Sequence, residues 1–320
     1  MRVDTPVVVL VGPTASGKTA LLDELFGSRE SRDVYALPEA EVISADSMQA
    51  YRSLDIGTAK PDSAAQARLP HRLIDVLEIE EQYTVGDFVR RADEACADIS
   101  GRGKLPIVSG GAGFYVRNFL CGLPTAPAND PATRESVARD LAERGIGALR
   151  AELAAADPES AARIHGNDVY RLTRALEVTR ATGRPMADFA PPTGTRAGYR
   201  FLTVGLSRTP AELAARIGVR VDAMFAAGLA DELRALRAAG HGPGEPGMKA
   251  IGYREFFEFG EASARDLAAI SERIKLDTRR YAKRQMTFFR KLPGIEWISP
   301  APKDLASRIA AIVHAGSHAV

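Results

Sequence analysis

The sequence has little cysteine and no long apolar run. Its 320 residues include two cysteines, Cys96 and Cys121. Two cysteines cannot form a disulfide scaffold, and these two lack the spacing of metal ligands, so we expect reduced thiols in a cytoplasmic protein. The longest early apolar run, Val7 to Val11, is too short to span a bilayer and lacks a cleavage region. We therefore expect neither a signal peptide nor a membrane anchor.

Charge of one sign is not in excess either. The net charge is +1 at pH 7, although 26% of the residues are charged. No global field therefore attracts nucleic acid, and any such binding requires a local basic patch. Because 45% of the residues are hydrophobic, the chain can bury a core, which excludes an intrinsically disordered protein.

Short apolar runs alternate with helical stretches in the first part of the chain. One such stretch is Thr84 to Ser100. The alternation predicts an α/β fold with a parallel sheet that is covered on both faces. The runs expected to form strands are Val7–Val11, Val42–Ser44, Leu73–Val76, Ile107–Ser109 and Phe201–Leu206.

A series of helices interrupts this alternation. Asp130 is typical of an N-cap, with Pro131 at the first helical position. Roughly 75 residues separate two strands here, and a structureless loop of that length would be unusual. We therefore predict an inserted helical module. The predicted units are residues 1–121 with 199–320 for the core and 122–198 for the insertion. The predicted inserted helices are Pro131–Arg144, Ile146–Ala156 and Val169–Thr182, the last ended by Gly183.

The C-terminal part is expected to be largely helical. Thr209 and Glu212 form a capping box that opens one helix. A second helix is expected from Ser263 to about Lys291. A short strand, Glu296–Ile298, and a last helix close the chain. The apolar stripe of the second helix is predicted to comprise Leu267, Ile270, Ile274, Tyr281, Phe288 and Leu292.

The segment after the first strand fits the phosphate-loop pattern GxxxxGK(S/T). An apolar strand precedes it and an amphipathic helix follows, so its backbone amides and the helix N-terminus can hold a polyphosphate. Lys18 supplies a point charge, and Thr19 offers a hydroxyl to Mg²⁺. This loop predicts that a di- or triphosphate is bound, but it does not specify which reaction follows. The predicted diphosphate-binding residues are Gly12, Pro13, Thr14, Ala15, Ser16, Gly17, Lys18 and Thr19.

Asp46 follows the second predicted strand. In an open parallel sheet, ligands bind beyond the carboxyl ends of the strands, so Asp46 is expected near the phosphate loop. A carboxylate there can be a general base, a magnesium ligand or a helix N-cap. The spacing alone does not separate these three roles.

Several longer motifs match one family in order and spacing. The chain closely resembles the bacterial tRNA dimethylallyltransferases, also called tRNA isopentenyltransferases, from about Val7 to Ile298. The resemblance implies transfer of the dimethylallyl group of dimethylallyl diphosphate to the exocyclic N6 amine of the tRNA adenosine on the 3′ side of the anticodon. It also implies that the anticodon stem-loop is the part of tRNA that is bound, and we expect a monomer. The matching segments are Gly12–Thr19, Ile43–Gln49, Asp55–Pro61, Val108–Tyr115, Asn167–Val178, Ala250–Glu255 and Tyr281–Arg290.

The resemblance assigns roles to the residues described above. It makes Asp46 the general base, with Lys18 and Thr19 as the other catalytic residues. The phosphate loop and a Mg²⁺ on Thr19 then stabilise the departing diphosphate. Arg216 and Arg220 are four residues apart on the capped helix, so they share one face, and the resemblance places both near the diphosphate.

A basic patch is predicted on the long C-terminal helix. Acidic residues are absent between Thr278 and Lys291, and this charge segregation is suited to a phosphate backbone. Tyr281 and Phe288 are expected in the core by their spacing. With the family segments that contact the anticodon loop, the predicted tRNA-binding residues are Asp46, Ser47, Met48, Gln49, Ala112, Tyr170, Arg171, Leu172, Thr173, Arg174, Lys249, Gly252, Tyr253, Arg254, Arg279, Arg280, Lys283 and Arg284.

Two positions depart from the family pattern. Ala112 stands where the family usually has a hydroxyl residue, so a hydrogen bond to the acceptor is lost or replaced. Arg72 replaces the second histidine of a common Pro-His-His run, and no chemical consequence of this change is expected.

Three other functions use the same residues. A small-molecule kinase would share the phosphate loop but needs a magnesium-binding acid after a strand, for which Asp75 is a weak candidate. An isopentenyltransferase acting on free adenine nucleotides would share Asp46 but would not need the insertion or the basic helix. A non-enzymatic RNA-binding protein would not need Lys18, Thr19 and Asp46 together.

Overall fold

A computed structural model describes residues 4–126, 130–189, 192–259 and 264–314. Its described part contains one sheet of six parallel strands in the order β3-β2-β4-β1-β5-β6. The strands are β1 Thr5–Val11, β2 Ala40–Ser44, β3 His71–Arg72, β4 Leu105–Gly110, β5 Tyr199–Leu206 and β6 Glu296–Ile298. The predicted α/β class with a parallel sheet is confirmed.

The central strands are buried on both faces. In β1, Val8 lies opposite Ile107 of β4 on one side and Leu202 of β5 on the other. Continuous apolar runs such as this one suit a sheet that helices cover on both faces. Because β4 pairs in parallel with both β1 and β2, the carboxyl ends of these three strands lie beside one another at one edge of the sheet.

Thirteen α-helices occur in the described residues. They are α1 Lys18–Phe26, α2 Arg29–Tyr35, α3 Ser63–Arg68, α4 Val85–Gly101, α5 Gly113–Cys121, α6 Pro131–Ala156, α7 Pro158–Arg163, α8 Val169–Thr182, α9 Pro210–Ala226, α10 Leu229–Ala238, α11 Arg254–Phe257, α12 Ala264–Phe289 and α13 Pro302–His314.

The predicted caps are confirmed. The Asp130 carboxylate accepts from the Thr133 amide, and Thr209 and Glu212 form the reciprocal capping box. Gly145 has a φ of 75°, which kinks α6 between the two helices predicted there. Gly183 ends α8 in the left-handed conformation. The predicted helix start at Ser263 lies outside the described residues.

The prediction of a strand at Leu73–Val76 is wrong. The strand is His71–Arg72, two residues upstream, and it pairs with Val42 and Ile43 of β2. Leu73 and Asp75 have φ values of 63° and 54°, and such left-handed backbone cannot continue a strand. Side-chain pattern alone could not reveal this turn.

The chain divides into two compact units, Met1–Leu120 with Thr195–Val320, and Cys121–Gly194. The predicted insertion comprised residues 122–198. The smaller unit has its own core, to which α6, α7 and α8 contribute. In the larger unit α9 packs against α12. The buried apolar residues of the smaller core are Val137, Leu149, Leu153, Ala161, Leu172, Ala175 and Leu176.

Both cysteines are buried as reduced thiols, as expected. In the described residues, no helix combines the length and the apolar character that crossing a bilayer requires.

Candidate active site

Three loops meet beyond the carboxyl ends of β1, β2 and β4. The Ala45 amide donates to Ser109 O at 2.8 Å, and the Ala112 amide donates to Ala45 O at 3.0 Å. A Cβ on Gly110 would lie 2.1 Å from Ala45 O, so only glycine allows these loops to approach so closely. The sheet edge therefore fixes the loop that carries Asp46 against the glycine turn after β4.

The phosphate loop connects β1 to α1. Gly17, with a φ of 103°, precedes the first residue of α1, and Ala15 is also left-handed at 62°. The loop carbonyls are hydrogen-bonded from the α9 side, because Arg216 Nε donates to Ala15 O at 2.7 Å and Arg208 Nε donates to Ser16 O at 2.8 Å. Fixed carbonyls orient the peptide units, and hence their amides, for an anion at the helix N-terminus. No motif in the sequence had indicated Arg208 as a residue of this loop.

Lys18 lies folded against its own loop. Its Nζ donates to Gly12 O at 2.8 Å and to Pro13 O at 3.1 Å. Burial lowers the pKa of Lys18 to about 8, an effect that the Asp46 carboxylate opposes and Arg220 reinforces. The three charged groups therefore lie close enough to interact, as the sheet topology predicted for Asp46 and the loop.

Asp46 forms a local turn through one carboxylate oxygen. The Met48 amide donates to Asp46 Oδ1 at 3.0 Å. A Cβ on Gly111 would lie 4.0 Å from Asp46 Oδ2, so the second oxygen lies beside the glycine turn. One oxygen is thus used to stabilise the turn and the other is presented at the site. The alternative role of Asp46 as a helix N-cap is wrong, because a turn and no helix follows it, and the general-base role stays a prediction.

Two cavities meet at Asp46. The smaller, about 100 Å³, contains Lys18 and Thr19 in its wall. The larger, about 300 Å³, opens toward Ser47 and the basic residues of α12. A carboxylate at the junction faces the phosphate loop on one side and the basic helix on the other. The residues that line both cavities are Thr14, Asp46, Arg220 and Tyr281.

Tyr281 and Gln285 form the α12 side of this junction. Thr14 N donates to Gln285 Oε1 at 2.9 Å, while Gln285 Nε2 donates to Gly111 O at 2.9 Å. Gln285 therefore bridges the phosphate loop and the glycine turn. The sequence analysis missed it, although a glutamine four residues after Tyr281 on a buried helix face was a usable signal. The expectation that Tyr281 belongs wholly to the core is corrected, since it is half-buried and lines both cavities.

Both predicted arginines of α9 lie at the phosphate loop. Arg216 binds Ala15 O, and Arg220 Nη2 donates to Thr58 O at 3.3 Å. Burial lowers the pKa of Arg220, and the Asp46 carboxylate opposes that shift. A buried guanidinium beside a carboxylate and a phosphate loop is suited to bind an anion.

The basic helix is partly neutralised. Arg280 and Arg254 each pair with Asp277, at 3.3 Å in both cases, and Arg254 also pairs with Glu255 at 2.9 Å. In the part of the chain that the structure describes, no ion pair joins an acid to the exposed Arg279, Lys283 or Arg284. Lys249, Arg254 and Arg284 line the larger cavity. The cationic surface is therefore narrower than the sequence suggested.

Three predicted tRNA contacts are revised. Leu172 and Tyr253 are 1% and 0% exposed, respectively, and Gly252 is also buried. Leu172 packs in the core of the smaller unit, and a Cβ on Gly252 would lie 3.2 Å from Gly57 O. These three residues are therefore packed in the interior of the protein, where they support the fold and are not accessible to tRNA.

Other predicted contacts are accessible. Tyr170 is 79% exposed, and the Arg171 side chain is 74% exposed. Thr173 is partly exposed, while Arg174 pairs with Glu177 at 3.4 Å. Ser47 and Met48 line the larger cavity, Gln49 lines the smaller one, and Ala112 is half-buried at the glycine turn.

The residues present fit a magnesium ion only together with its substrate. Among the described residues, no cluster of three histidine, cysteine or acidic side chains could hold a metal. Thr19 lines the cavity beside the phosphate loop. Mg²⁺ commonly binds substrate phosphates and keeps several waters, so a single hydroxyl ligand is compatible with it.

Comparison with known proteins gives consistent similarities over almost the whole chain. The family model described as IPP transferase matches residues 49–292. A tRNA dimethylallyltransferase from Thiobacillus denitrificans is 44% identical over 315 residues, which cover 97% of this chain and 96% of that protein. The full-length tRNA isopentenylpyrophosphate transferase from Bacillus halodurans superposes with a TM-score of 0.68, at 32% identity and 98% coverage of each chain. A eukaryotic dimethylallyltransferase, solved in snapshots of its action on tRNA, gives a TM-score of 0.76 at 26% identity and covers 97% of this chain and 77% of its own.

Proposed function

The chain belongs to the IPP transferase family, and on that premise we propose that it is a tRNA dimethylallyltransferase. It transfers the dimethylallyl group of dimethylallyl diphosphate to the N6 amine of the adenosine on the 3′ side of the anticodon, and it releases diphosphate. The observation that carries this proposal is the position of Asp46, where the phosphate-loop cavity meets the cavity beside the basic helix.

Bond breaking in the donor creates negative charge on the diphosphate. The allylic carbon–oxygen bond breaks, and its electron pair leaves with the diphosphate. The amides at the N-terminus of α1, the Lys18 ammonium and the Arg220 guanidinium stabilise this charge where it develops. Arg216 and Arg208 hold the loop carbonyls and so keep the amides in place. A Mg²⁺ held by Thr19 and the diphosphate oxygens would neutralise further charge when bound.

The acceptor end requires a base. The adenine amine is a weak nucleophile because its lone pair is delocalised into the ring. As the carbon–nitrogen bond forms, the amine proton passes to the Asp46 carboxylate. Ser47 and Gln49, near Asp46, are proposed to hydrogen-bond the target base. A loop adenosine leaves its stack at a lower free-energy cost than a paired one, which suits an anticodon-loop substrate.

RNA binding is proposed to use two surfaces. On the larger unit, Arg279, Lys283 and Arg284 are suited to the phosphate backbone, with Lys249 and Arg254 at the cavity. On the smaller unit, Tyr170 and Arg171 offer an exposed ring and an exposed charge. We further propose a cytoplasmic location and a monomer.

One assay separates this function from its alternatives. Purified protein is incubated with Mg²⁺, dimethylallyl diphosphate and either unmodified tRNA, an anticodon stem-loop or AMP, followed by nucleoside mass analysis. We expect an increase in adenosine mass by one dimethylallyl group in both RNAs and not in AMP. Prenylation of AMP would indicate the free-nucleotide enzyme, and phosphate transfer from ATP without prenylation would indicate a kinase.

The acid that a kinase would need for magnesium binding is engaged elsewhere in the structure. Asp75, its weak magnesium candidate, accepts a hydrogen bond from Lys60 Nζ at 2.6 Å. Lys60 also binds Asp55 and Tyr51 O. Asp75 is thus part of a structural ion-pair group and is not among the residues that line the smaller cavity.

A further inference from the structure

The segment Asp55–Pro61 matches the family closely, yet the proposed chemistry gives it no role. It lies in the loop between β2 and α3. Gly57 and Thr58 line the larger cavity, whereas Ala59 and Pro61 line the smaller one. The segment is therefore a common wall of both cavities, and we call it the wall loop, residues 55–61.

The wall loop holds two polar side chains of the site through its carbonyls. Arg220 Nη2 donates to Thr58 O at 3.3 Å. Gln49 Nε2 lies 3.4 Å from both Thr58 O and Ala59 O. Movement of this loop would therefore misplace both the guanidinium beside Asp46 and the amide proposed to meet the target base.

A single carboxylate holds the loop from outside the site. Glu232, in the first turn of α10, accepts from the amides of Asp55 at 3.1 Å, Ile56 at 2.8 Å and Gly57 at 3.2 Å. Three successive amides that converge on one anion form a nest. Charge-assisted hydrogen bonds of this kind are roughly twice as strong as neutral ones.

Tyr253 contacts both Glu232 and the wall loop. Its hydroxyl donates to Glu232 Oε1 at 2.6 Å and accepts from the Gly57 amide at 3.1 Å. A Cβ on Gly57 would lie 2.5 Å from the Tyr253 ring, so the ring and the loop backbone are in close contact. This packing explains why Tyr253 is fully buried.

We propose that Glu232, supported by Tyr253, is a positioning residue for prenyl transfer: it fixes the wall loop and thereby orients Arg220 and Gln49. Among the described residues that line the two cavities, neither Glu232 nor Tyr253 occurs, so the role proposed for both is positioning and not substrate binding. The inference rests on the proposed function for its catalytic consequence, but the contacts that carry it do not.

The first test is Glu232→Gln. A glutamine presents one acceptor oxygen and turns an NH₂ group toward the loop amides, which opposes donor to donor. We expect kcat/KM for dimethylallyl diphosphate to fall about 10- to 100-fold, with overall folding retained by circular dichroism. Glu232→Asp, which keeps the charge, should recover part of the loss.

Asp231→Asn is the matched control. Asp231 is the neighbouring residue of the same helix, is exposed and pairs with Arg234. Its substitution removes the same charge without touching the wall loop, so kcat/KM should stay within about twofold of the wild-type value. Tyr253→Phe keeps the ring and removes one hydroxyl, and should give a loss of about three- to tenfold. If Glu232→Gln does not fold, Tyr253→Phe serves as the test.

A double-mutant cycle separates positioning from general destabilisation. If Glu232 acts through the two side chains that the loop holds, Glu232→Gln should change kcat/KM for dimethylallyl diphosphate less than about threefold in an Arg220→Ala, Gln49→Ala background. In an Asp33→Asn background its effect should remain whole, because Asp33 is an exposed residue of α2 that pairs with Arg29. Equal effects in both backgrounds would overturn the proposal.

Hydrogen exchange makes the test independent of the enzymatic activity. The amides of residues 55–57 should exchange slowly in the wild-type protein and at least about tenfold faster in Glu232→Gln, with or without substrate. Unchanged exchange would overturn the proposed clamp. Faster exchange with unchanged kcat/KM in an active enzyme would overturn the positioning role. An inactive wild-type protein with the expected exchange would instead count against the proposed function alone.

Discussion

At the scale of single residues, Asp46 combines one structural contact with the proposed role of general base. One oxygen accepts from the Met48 amide at 3.0 Å, and the other lies beside Gly111. An asparagine keeps one carbonyl oxygen for the first task, so the turn should survive. It has no carboxylate for the second. The two roles can therefore be separated by a single substitution.

Asp46→Asn should retain tRNA binding and lose turnover by roughly two to four decades. Single-turnover transfer to tRNA and the tRNA dissociation constant measure the two properties independently. The control is Asp33→Asn, which removes an exposed carboxylate of α2 that pairs with Arg29 at 3.6 Å. Near wild-type turnover in Asp46→Asn would exclude Asp46 as the base.

Lys18 gives donor binding a pH dependence. Because burial lowers the pKa of Lys18 to about 8 in the free protein, the ammonium loses its proton as pH rises through that value. Dimethylallyl diphosphate should bind about tenfold more weakly at pH 9 than at pH 7, as its binding favours the charged lysine. Calorimetric titration at several pH values measures this change.

The matched variant for that prediction is Lys18→Ala. It should bind the donor weakly at every pH and show little further weakening above pH 8, while tRNA affinity changes less. An unchanged donor affinity in Lys18→Ala would contradict the phosphate-cradle assignment. A wild-type affinity that stays constant between pH 7 and 9 would contradict the titration of Lys18 alone.

At the scale of elements, α12 has two chemically different faces. Gln285 and Tyr281 face the phosphate loop and the cavities, while Ile270, Ile274 and Phe289 are buried in the core. Arg279, Lys283 and Arg284 are exposed. One helix therefore lines the cavities on one face and carries, on another, the exposed charge that is proposed to bind RNA.

Removing the exposed charge of α12 should reduce the salt dependence of tRNA binding. The triple variant Arg279→Gln, Lys283→Gln, Arg284→Gln should lower the slope of log K against log salt by about 0.7 for each phosphate that is no longer neutralised. An added Arg280→Gln substitution should lower this slope by less than the other three, because Arg280 already pairs with Asp277. Fluorescence anisotropy with an anticodon stem-loop between low and moderate salt gives the slope.

The control for this variant removes an equal charge elsewhere. Arg29, Arg52 and Arg90 are exposed on the larger unit, and each pairs with a carboxylate. Their substitution by glutamine should leave the slope unchanged. If both triple variants behave alike, the basic face of α12 is only a solvated surface.

At the scale of the whole molecule, an ion-pair network lies at the end of the sheet opposite to the site, where neighbouring strands bring its members together. Glu41 lies near the start of β2 and is 3% exposed in its side chain, and it binds Arg72 of β3 at 3.0 Å and Arg102 at 2.5 Å. Lys104 lies 3.4 Å from the same carboxylate. Arg72, for which the sequence analysis expected no consequence, therefore helps to join β2, β3 and the end of α4.

This network predicts a loss of stability in acid. Hydrogen bonding from Arg102 lowers the pKa of Glu41 to about 2, below its ordinary value of 4.5. Its stabilisation is complete above about pH 4.5 and is lost as pH falls toward 2. Glu41→Gln should lower the free energy of unfolding by about 2 kcal/mol at pH 7, a value reduced for the half-exposed arginines.

Urea unfolding at pH 7 and pH 3 tests the sign. The difference between wild type and Glu41→Gln should shrink by about half at pH 3, because the wild-type carboxylate is then losing its advantage. Glu94→Gln is the control, since Glu94 is mostly exposed and pairs with the exposed Arg90 at 3.1 Å. A difference that is constant with pH would contradict the assignment.

The sequence by itself determined the features that are formed within short contiguous segments. The phosphate loop, the caps at Asp130 and Thr209, and the β2 strand that ends before Asp46 depend on neighbours within a few residues, so their patterns were sufficient. Only the tertiary structure decided that Tyr281 and Gln285 belong to the site, that Tyr253 is buried, and that Glu232 holds residues 55–57. Those facts depend on contacts between segments far apart in the chain, and burial is a property of packing that no local pattern encodes.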